Sequence, residues 1–254
     1  MPAAGYTSYP DVMMIVGIVP ARYASVRFPG KPLALLAGKP MLLHVIAASL
    51  SARKLSRVAV ATDDERIAAA ARGAGCEAIL TSAHAASGTD RLAEAARSIP
   101  ADIYVNIQGD EPLMSPENID RAVDVLLAGD ARRIATLALP MPAAEASDAN
   151  VVKAAVASDG RALYFSRAPI PFPRAGAPAY RKHLGLYAYR AATLAELAAL
   201  PPSPLEKTES LEQLRWLEAG YDIWVGEAWS DSIGVDTPED LRRVEEFLKK
   251  EAVS

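Results

Sequence analysis

Ile15 to Val19 form an unbroken apolar run, the pattern of a strand buried on both faces. Leu42, Val45, Ile46 and Leu50 then recur at helical spacing, which predicts an amphipathic helix. Val58 to Thr62 reads as a strand, and Asp64 to Ala74 as a helix ended by Gly75. A short strand at 76–80, a loop at 81–90 and a helix from Arg91 lead to a strand at 102–107, in which Val105 and Ile107 share one face. Ser115-Pro116-Glu117 has the chemistry of a helix start. Strand and helix alternate, so the predicted class is α/β: a mostly parallel Rossmann-like sheet with helices on both faces. From about residue 134 the pattern changes. Strands at 134–139, 152–157 and 162–166 follow without long helices between them, and 168–178 is rich in Pro and Ala. That half reads as a smaller mixed insertion, a flexible lid over the site. A helix at 205–218, a strand at 221–226 and a closing helix at 237–250 complete the chain.

Composition narrows the partners. With 51% hydrophobic residues in 254 positions the chain can bury a sizeable core. A net charge of −4 argues against a nucleic-acid surface. Cys76 is the one cysteine, so no disulfide forms within the chain, which fits a reducing cytoplasm; core packing is its expected role. There is no run of 18 apolar residues, and residues 1–12 lack the charged start and apolar stretch of a signal peptide. They read as a disordered leader, with no membrane segment expected.

The chemistry begins where the first strand ends. Arg22, Arg27 and Lys31 sit in a loop punctuated by Pro20, Pro29, Gly30 and Pro32, and ligands of α/β sheets bind at the carboxyl ends of strands. Neither G-x-x-x-x-G-K-[ST] nor G-x-G-x-x-G is present, so charged side chains, more than a glycine cradle, would hold phosphate here. Asp110 lies just past the 102–107 strand, where a carboxylate can meet a Mg²⁺ that bridges phosphates. In Ile233 to Asp240, Thr237 reads as the N-cap, Pro238 as the first helical residue and Asp240 as the N3 acid. Asp236 is left over. Each residue also has a plainer reading: a solvated Arg, a turn-forming Asp, a core His183, a solvated helix face for Glu212 and Gln213.

Nine strings decide between these readings: PARYAS-x-R-x-PGKPL at 20–33, ATD at 61–63, SGT-x-R-LAE at 87–94, VN-x-QGDEP at 105–112, LYFSR at 163–167, HLG-x-Y-x-YR at 183–190, PSPLE at 202–206, LEQLR at 211–215 and GVDTPEDL at 234–241. Together and in this order they resemble the bacterial 3-deoxy-D-manno-octulosonate cytidylyltransferases, or CMP-Kdo synthetases. Val26 and Phe28 depart from the commonest form and are expected to tune loop packing. The resemblance implies transfer of CMP from CTP to the anomeric hydroxyl of Kdo, with loss of pyrophosphate, for lipopolysaccharide biosynthesis. It implies that Arg22 and Lys31, with Arg27 close by, hold the triphosphate, and that Asp110 and Asp236 hold Mg²⁺. Pro20, Ala21, Ala61, Thr62, Asp63, Ser87, Gly88 and Arg91 fall to the nucleotide; Gln108, Arg167, His183, Tyr187, Glu212 and Gln213 fall to the sugar. Arg167 and a partly protonated His183 are the expected partners of the sugar carboxylate. The implied divisions are a nucleotide-binding part at 13–133, a sugar-binding and dimerisation part at 134–220, and a return to the main sheet at 221–254. A homodimer is expected through apolar Ile134, Leu137, Leu139, Leu163 and Phe165. Still open at this point are a cytidylyltransferase for another acidic sugar (a sialic acid or 8-amino-Kdo), a nucleotide-sugar-dependent glycosyltransferase, disfavoured because no D-x-D occurs, and a non-catalytic nucleotide binder.

Overall fold

The computed structural model describes residues 13–24, 27–85, 87–176 and 178–251; the leader at 1–12 and Val26 lie outside them. Four strands, β1 (Ile15–Ala21), β4 (Arg57–Thr62), β5 (Glu77–Leu80) and β6 (Ile103–Asn106), run parallel, with β1 between β4 and β6. The sheet continues beyond β6 through β10 (Arg181–Arg190), β7 (Ile134–Pro140) and β11 (Ile223–Glu227). β10 is antiparallel to both β6 and β7, while β11 returns parallel to β7. β8 (Lys153–Val156) and β9 (Ala162–Ser166) form an antiparallel branch that meets the sheet at Lys182 of β10. Leu35–Leu36 (β2) and Lys39–Pro40 (β3) make a separate hairpin.

The sheet separates two apolar layers because strand side chains alternate. Val19, Val60, Val105 and Ile107 pack on one side with α1 (Met41–Ser51), α2 (Glu65–Gly73) and α4 (Pro116–Leu127). Ile18, Ala59, Tyr104 and Tyr189 pack on the other with α3 (Gly88–Ala96), α5 (Ala191–Ala198) and α7 (Gln213–Glu218). The closing helix α8 (Pro238–Glu251) forms a third cluster in which Val244 meets Leu36, Met41 and Val235, and Phe28 packs against it.

Local chemistry sets several boundaries. Asp64 caps α2 by accepting from the Arg66 N–H, and Ser115 caps α4 ahead of Pro116. Others differ from the sequence reading. The helix expected from Arg91 starts at Gly88, because Ser87 and Asp90 close a capping box that the sequence had placed in a loop. The helix expected over 205–218 is broken into α6 (Pro204–Glu209) and α7. Ser210 adopts a left-handed conformation with φ 52°, and the chain turns to bury Leu211. Leu50 is exposed rather than part of the α1 core face. α5, which the sequence reading omitted, follows β10 directly. Of the apolar residues expected at a dimer contact, Ile134, Leu137 and Phe165 are completely buried within the chain's own core; Leu163 is exposed. Ile134 and Leu137 serve the sheet, since β7 is an internal strand and needs apolar side chains on both faces, and Phe165 of β9 packs into the second core layer.

Candidate active site

The parallel strands β1, β4 and β6 end on the same edge, and a cavity of 330 Å³ opens there. Pro20, Ala21, Arg22, Arg27, Lys31, Ser87, Gly88, Arg91, Gln108, Asp110 and Asp236 line it. Two glycines set its shape. Gly30, at φ 71° with its N–H bonded to the Tyr23 carbonyl at 3.0 Å, reverses the cation loop and delivers Lys31 to the rim. At Gly109 a Cβ would lie 2.6 Å from the Pro20 carbonyl oxygen, so only glycine lets the β1 and β6 ends approach this closely. The amino end of α3, with Ser87 as its cap, presents partial positive charge to the same space.

At the rim, Lys31 donates to Asp110 at 2.7 Å and to Asp236 at 3.2 Å, and Arg27 pairs with Asp236 at 2.9 Å. The two carboxylate segments are tied through the backbone as well, since the Val235 N–H donates to the Asp110 carbonyl at 2.8 Å. Thr237 and Asp240 cap α8 reciprocally, as expected, and the Asp236 N–H also donates to Asp240. That leaves the Asp236 side chain free to face the cations. Arg22 is exposed and makes no hydrogen bond or ion pair among the described residues. Deeper in, Arg91 is buried and held by Thr81 and by Asp63 at 3.2 Å. Ala61 and Thr62 are fully buried in β4 and do not line the cavity; Asp63 acts on it through Arg91.

Of the residues assigned to the sugar, Gln108 alone lines this cavity; its amide N–H donates to the Gly185 carbonyl at 3.0 Å. Glu212 is not on a solvated face. It accepts from Ser87 at 2.8 Å, Thr89 at 2.7 Å and Arg215 at 3.1 Å, and burial holds its carboxyl above the usual range despite these bonds. It thereby ties the start of α7 to the start of α3. Gln213, the first residue of α7, is buried. Arg167 lies outside the cavity: three of its five N–H groups are spent on the carbonyls of Glu209, Ala149 and Ser210. His183 is buried against Phe165 and Tyr187, and desolvation pushes its imidazole down to about 3. Burial thus favours the neutral ring at pH 7 over the partly protonated one expected from the sequence. The Thr136 hydroxyl lies 2.7 Å from the Leu186 carbonyl, 3.2 Å from the Leu184 carbonyl and 3.0 Å from His183 Nε2. Tyr187 stacks on Tyr189, and neither buried phenol completes a hydrogen bond of good geometry; nor do the buried Asn106 Oδ1 and Trp216 Nε1.

The family described as Cytidylyltransferase matches residues 16–223. A 3-deoxy-manno-octulosonate cytidylyltransferase of Syntrophobacter fumaroxidans is 55% identical over 248 residues, covering 95% of this chain and 99% of its own. The chain belongs to the cytidylyltransferase family. A relative of the same description from Anaeromyxobacter dehalogenans is 54% identical over 91% of this chain and 96% of its own. A solved CMP:2-keto-3-deoxy-manno-octonic acid synthetase, complexed with CTP, superposes with a TM-score of 0.90 at 43% identity, covering 94% of this chain and 99% of that one.

In this cytidylyltransferase, sequence reasoning missed three residues. Gly109 sits inside the QGDEP string, where its close approach to Pro20 gave no signal. Glu111, beside Asp110, has a carboxyl oxygen sealed from water with no hydrogen-bond partner among the described residues, and burial raises it to about 7. Lys153 is completely buried in β8, and its ammonium donates to the carbonyls of Asp148, Val151 and Arg167, which fixes the end of β9. A lysine heading an otherwise apolar strand, KAAV, was the available clue.

Proposed function

We propose that this cytidylyltransferase joins CMP from CTP to the anomeric hydroxyl of Kdo and releases pyrophosphate. The observation that carries the reading is the rim, where Arg22, Arg27 and Lys31 face Asp110 and Asp236 across one cavity at the strand ends. Its chemistry suits a triphosphate. Arg22 has no ion pair or hydrogen bond among the described residues, and the amino end of α3 adds a second positive element. Burying a leaving pyrophosphate against fixed cations stabilises charge where it develops, which is most of what phosphoryl transfer requires. Arg91, held rigid by Asp63 and Thr81, and the Ser87–Gly88 turn are set to meet the base.

The rim also fits a magnesium ion. Among the described residues no group of three or more His, Cys, Asp or Glu gathers to hold a metal, but Asp110 and Asp236 both reach the same Lys31 nitrogen. Two hard carboxylate donors, with phosphate and water completing the shell, is the usual way proteins hold Mg²⁺ at nucleotides. Bound there, the ion would neutralise phosphoryl charge and lower the pKa of the attacking hydroxyl.

For the sugar, Gln108 offers a side chain directly into the cavity, and the buried Tyr187 and Tyr189 phenols have no hydrogen-bond partner of good geometry among the described residues. Unpaired buried groups of this kind favour a ligand that brings hydroxyls. On this reading the reaction belongs in the cytoplasm, which the one unpaired cysteine suits, and the protein acts as a homodimer, for which exposed Leu163 and Phe172 are available apolar side chains. A pyrophosphate-release assay across CTP, UTP and ATP, each with Kdo and with N-acetylneuraminate, tests the reading. Release with CTP and Kdo well above every other pair is the expected result; equal release with N-acetylneuraminate would overturn the sugar assignment.

A further inference from the structure

The rim is a closed ion cluster. Lys31 bridges Asp110 and Asp236, Arg27 takes the other oxygen of Asp236, and the four formal charges cancel. The bridging ammonium is mostly buried, with 12% of its side chain exposed, against 62% for Arg27. Hence Lys31 occupies the space common to the two carboxylates. A divalent cation arriving alone would have to displace it and leave a buried ammonium unpaired beside a new double charge, which is costly in a partly desolvated site. A nucleotide changes the balance. Its phosphates would supply an alternative anion for Lys31 and Arg27 in a cavity that Arg22 also lines, and Arg22 has no partner to give up among the described residues.

We propose that Lys31 is a built-in stand-in for the divalent cation, holding Asp110 and Asp236 together until nucleotide phosphate draws it away, so that metal binds with the nucleotide and not ahead of it. The inference rests on the metal reading given above. It makes metal and nucleotide affinities mutually dependent, because each ligand removes part of the obstacle to the other and such coupling is reciprocal. It also gives Lys31 two partners in one cycle: carboxylates when the site is open and phosphate when it is loaded.

Titration with Mn²⁺, followed by the electron paramagnetic resonance signal of the free ion, tests this without turnover. Wild type, Lys31→Gln and Asp236→Asn are compared without nucleotide and with CTP, no sugar being added, and Mn²⁺ bound by CTP alone is subtracted. Without CTP, Lys31→Gln should bind Mn²⁺ at least tenfold more tightly than wild type. CTP should tighten Mn²⁺ binding much more in wild type than in Lys31→Gln. If Lys31→Gln binds Mn²⁺ no more tightly than wild type in the absence of CTP, while Asp236→Asn weakens it in the CTP complex, the stand-in role is wrong and the metal site stands. If Asp236→Asn binds Mn²⁺ as wild type does in the CTP complex, the metal reading itself fails. Circular dichroism checks folding, and should Lys31→Gln not fold, Arg27→Gln removes the exposed ion pair to Asp236 and should give a smaller gain of the same sign.

Discussion

Acid should destabilise this protein through His183. Burial holds its imidazole down to about 3 in the folded chain, whereas an unfolded histidine titrates near 6.5, within about a unit. The folded state binds the proton less well than the unfolded one, so the stabilising contribution is complete above about pH 6.5 and is lost as the pH falls toward 3. At pH 5 the unfolded chain has taken up its proton and the folded chain has not. At about 1.4 kcal/mol per pH unit, this amounts to about 2 kcal/mol between pH 7 and pH 5. His183→Phe isolates the effect: it keeps an aromatic ring beside Phe165 and Tyr187, and the Thr136 hydroxyl keeps the Leu186 carbonyl as its acceptor. Urea unfolding at pH 7, 6 and 5, read by the fluorescence of the buried Trp216, would compare the two proteins. Wild type should lose about 2 kcal/mol more than His183→Phe over this interval. Parallel losses would show that the imidazole is not held neutral by the fold.

Glu111 predicts the opposite slope: burial raises its carboxyl to about 7, so its contribution is present in acid and is lost as the pH rises from about 4.5 through 7. Glu111→Gln should therefore exceed wild type in stability by on the order of 2 kcal/mol at pH 8, and the advantage should vanish near pH 5 in thermal melts. Gly109→Ala places a methyl 2.6 Å from the Pro20 carbonyl, which is backbone and cannot swing aside. It should cut turnover more than tenfold and lower the melting temperature; an unaltered enzyme would mean that the strand ends can separate freely. Arg167→Ala should raise the Michaelis constant for Kdo much more than that for CTP, since the arginine sits off the nucleotide cavity on carbonyls of 149, 209 and 210; a change confined to CTP would reverse the assignment. Light scattering at micromolar concentration should give the mass of a dimer, and a monomer mass would contradict the proposed assembly.

Periodicity and punctuation in the chain determined many of its elements, though not α5 or the break between α6 and α7: the apolar run at 15–19, the Asp64 and Ser115 caps, and the Thr237–Asp240 cap each acted as their local chemistry dictates. Such signals are short-range, since a cap or a two-residue alternation is satisfied by neighbours within one turn. The strings of the cation loop, QGDEP and GVDTPEDL likewise contain the residues of the rim. What the tertiary structure alone decided is who meets whom. Lys31 reaches carboxylates 79 and 205 positions away because β1 lies beside β6 and the α8 start folds back onto the β6 loop. Burial was equally invisible. A histidine in HLG-x-Y reads the same whether it is charged at a surface or neutral beneath Phe165, and a glutamate in LEQLR reads the same whether it faces water or holds Ser87 and Thr89. The energy that settles these choices is desolvation, which depends on everything packed around a group and very little on its neighbours in sequence.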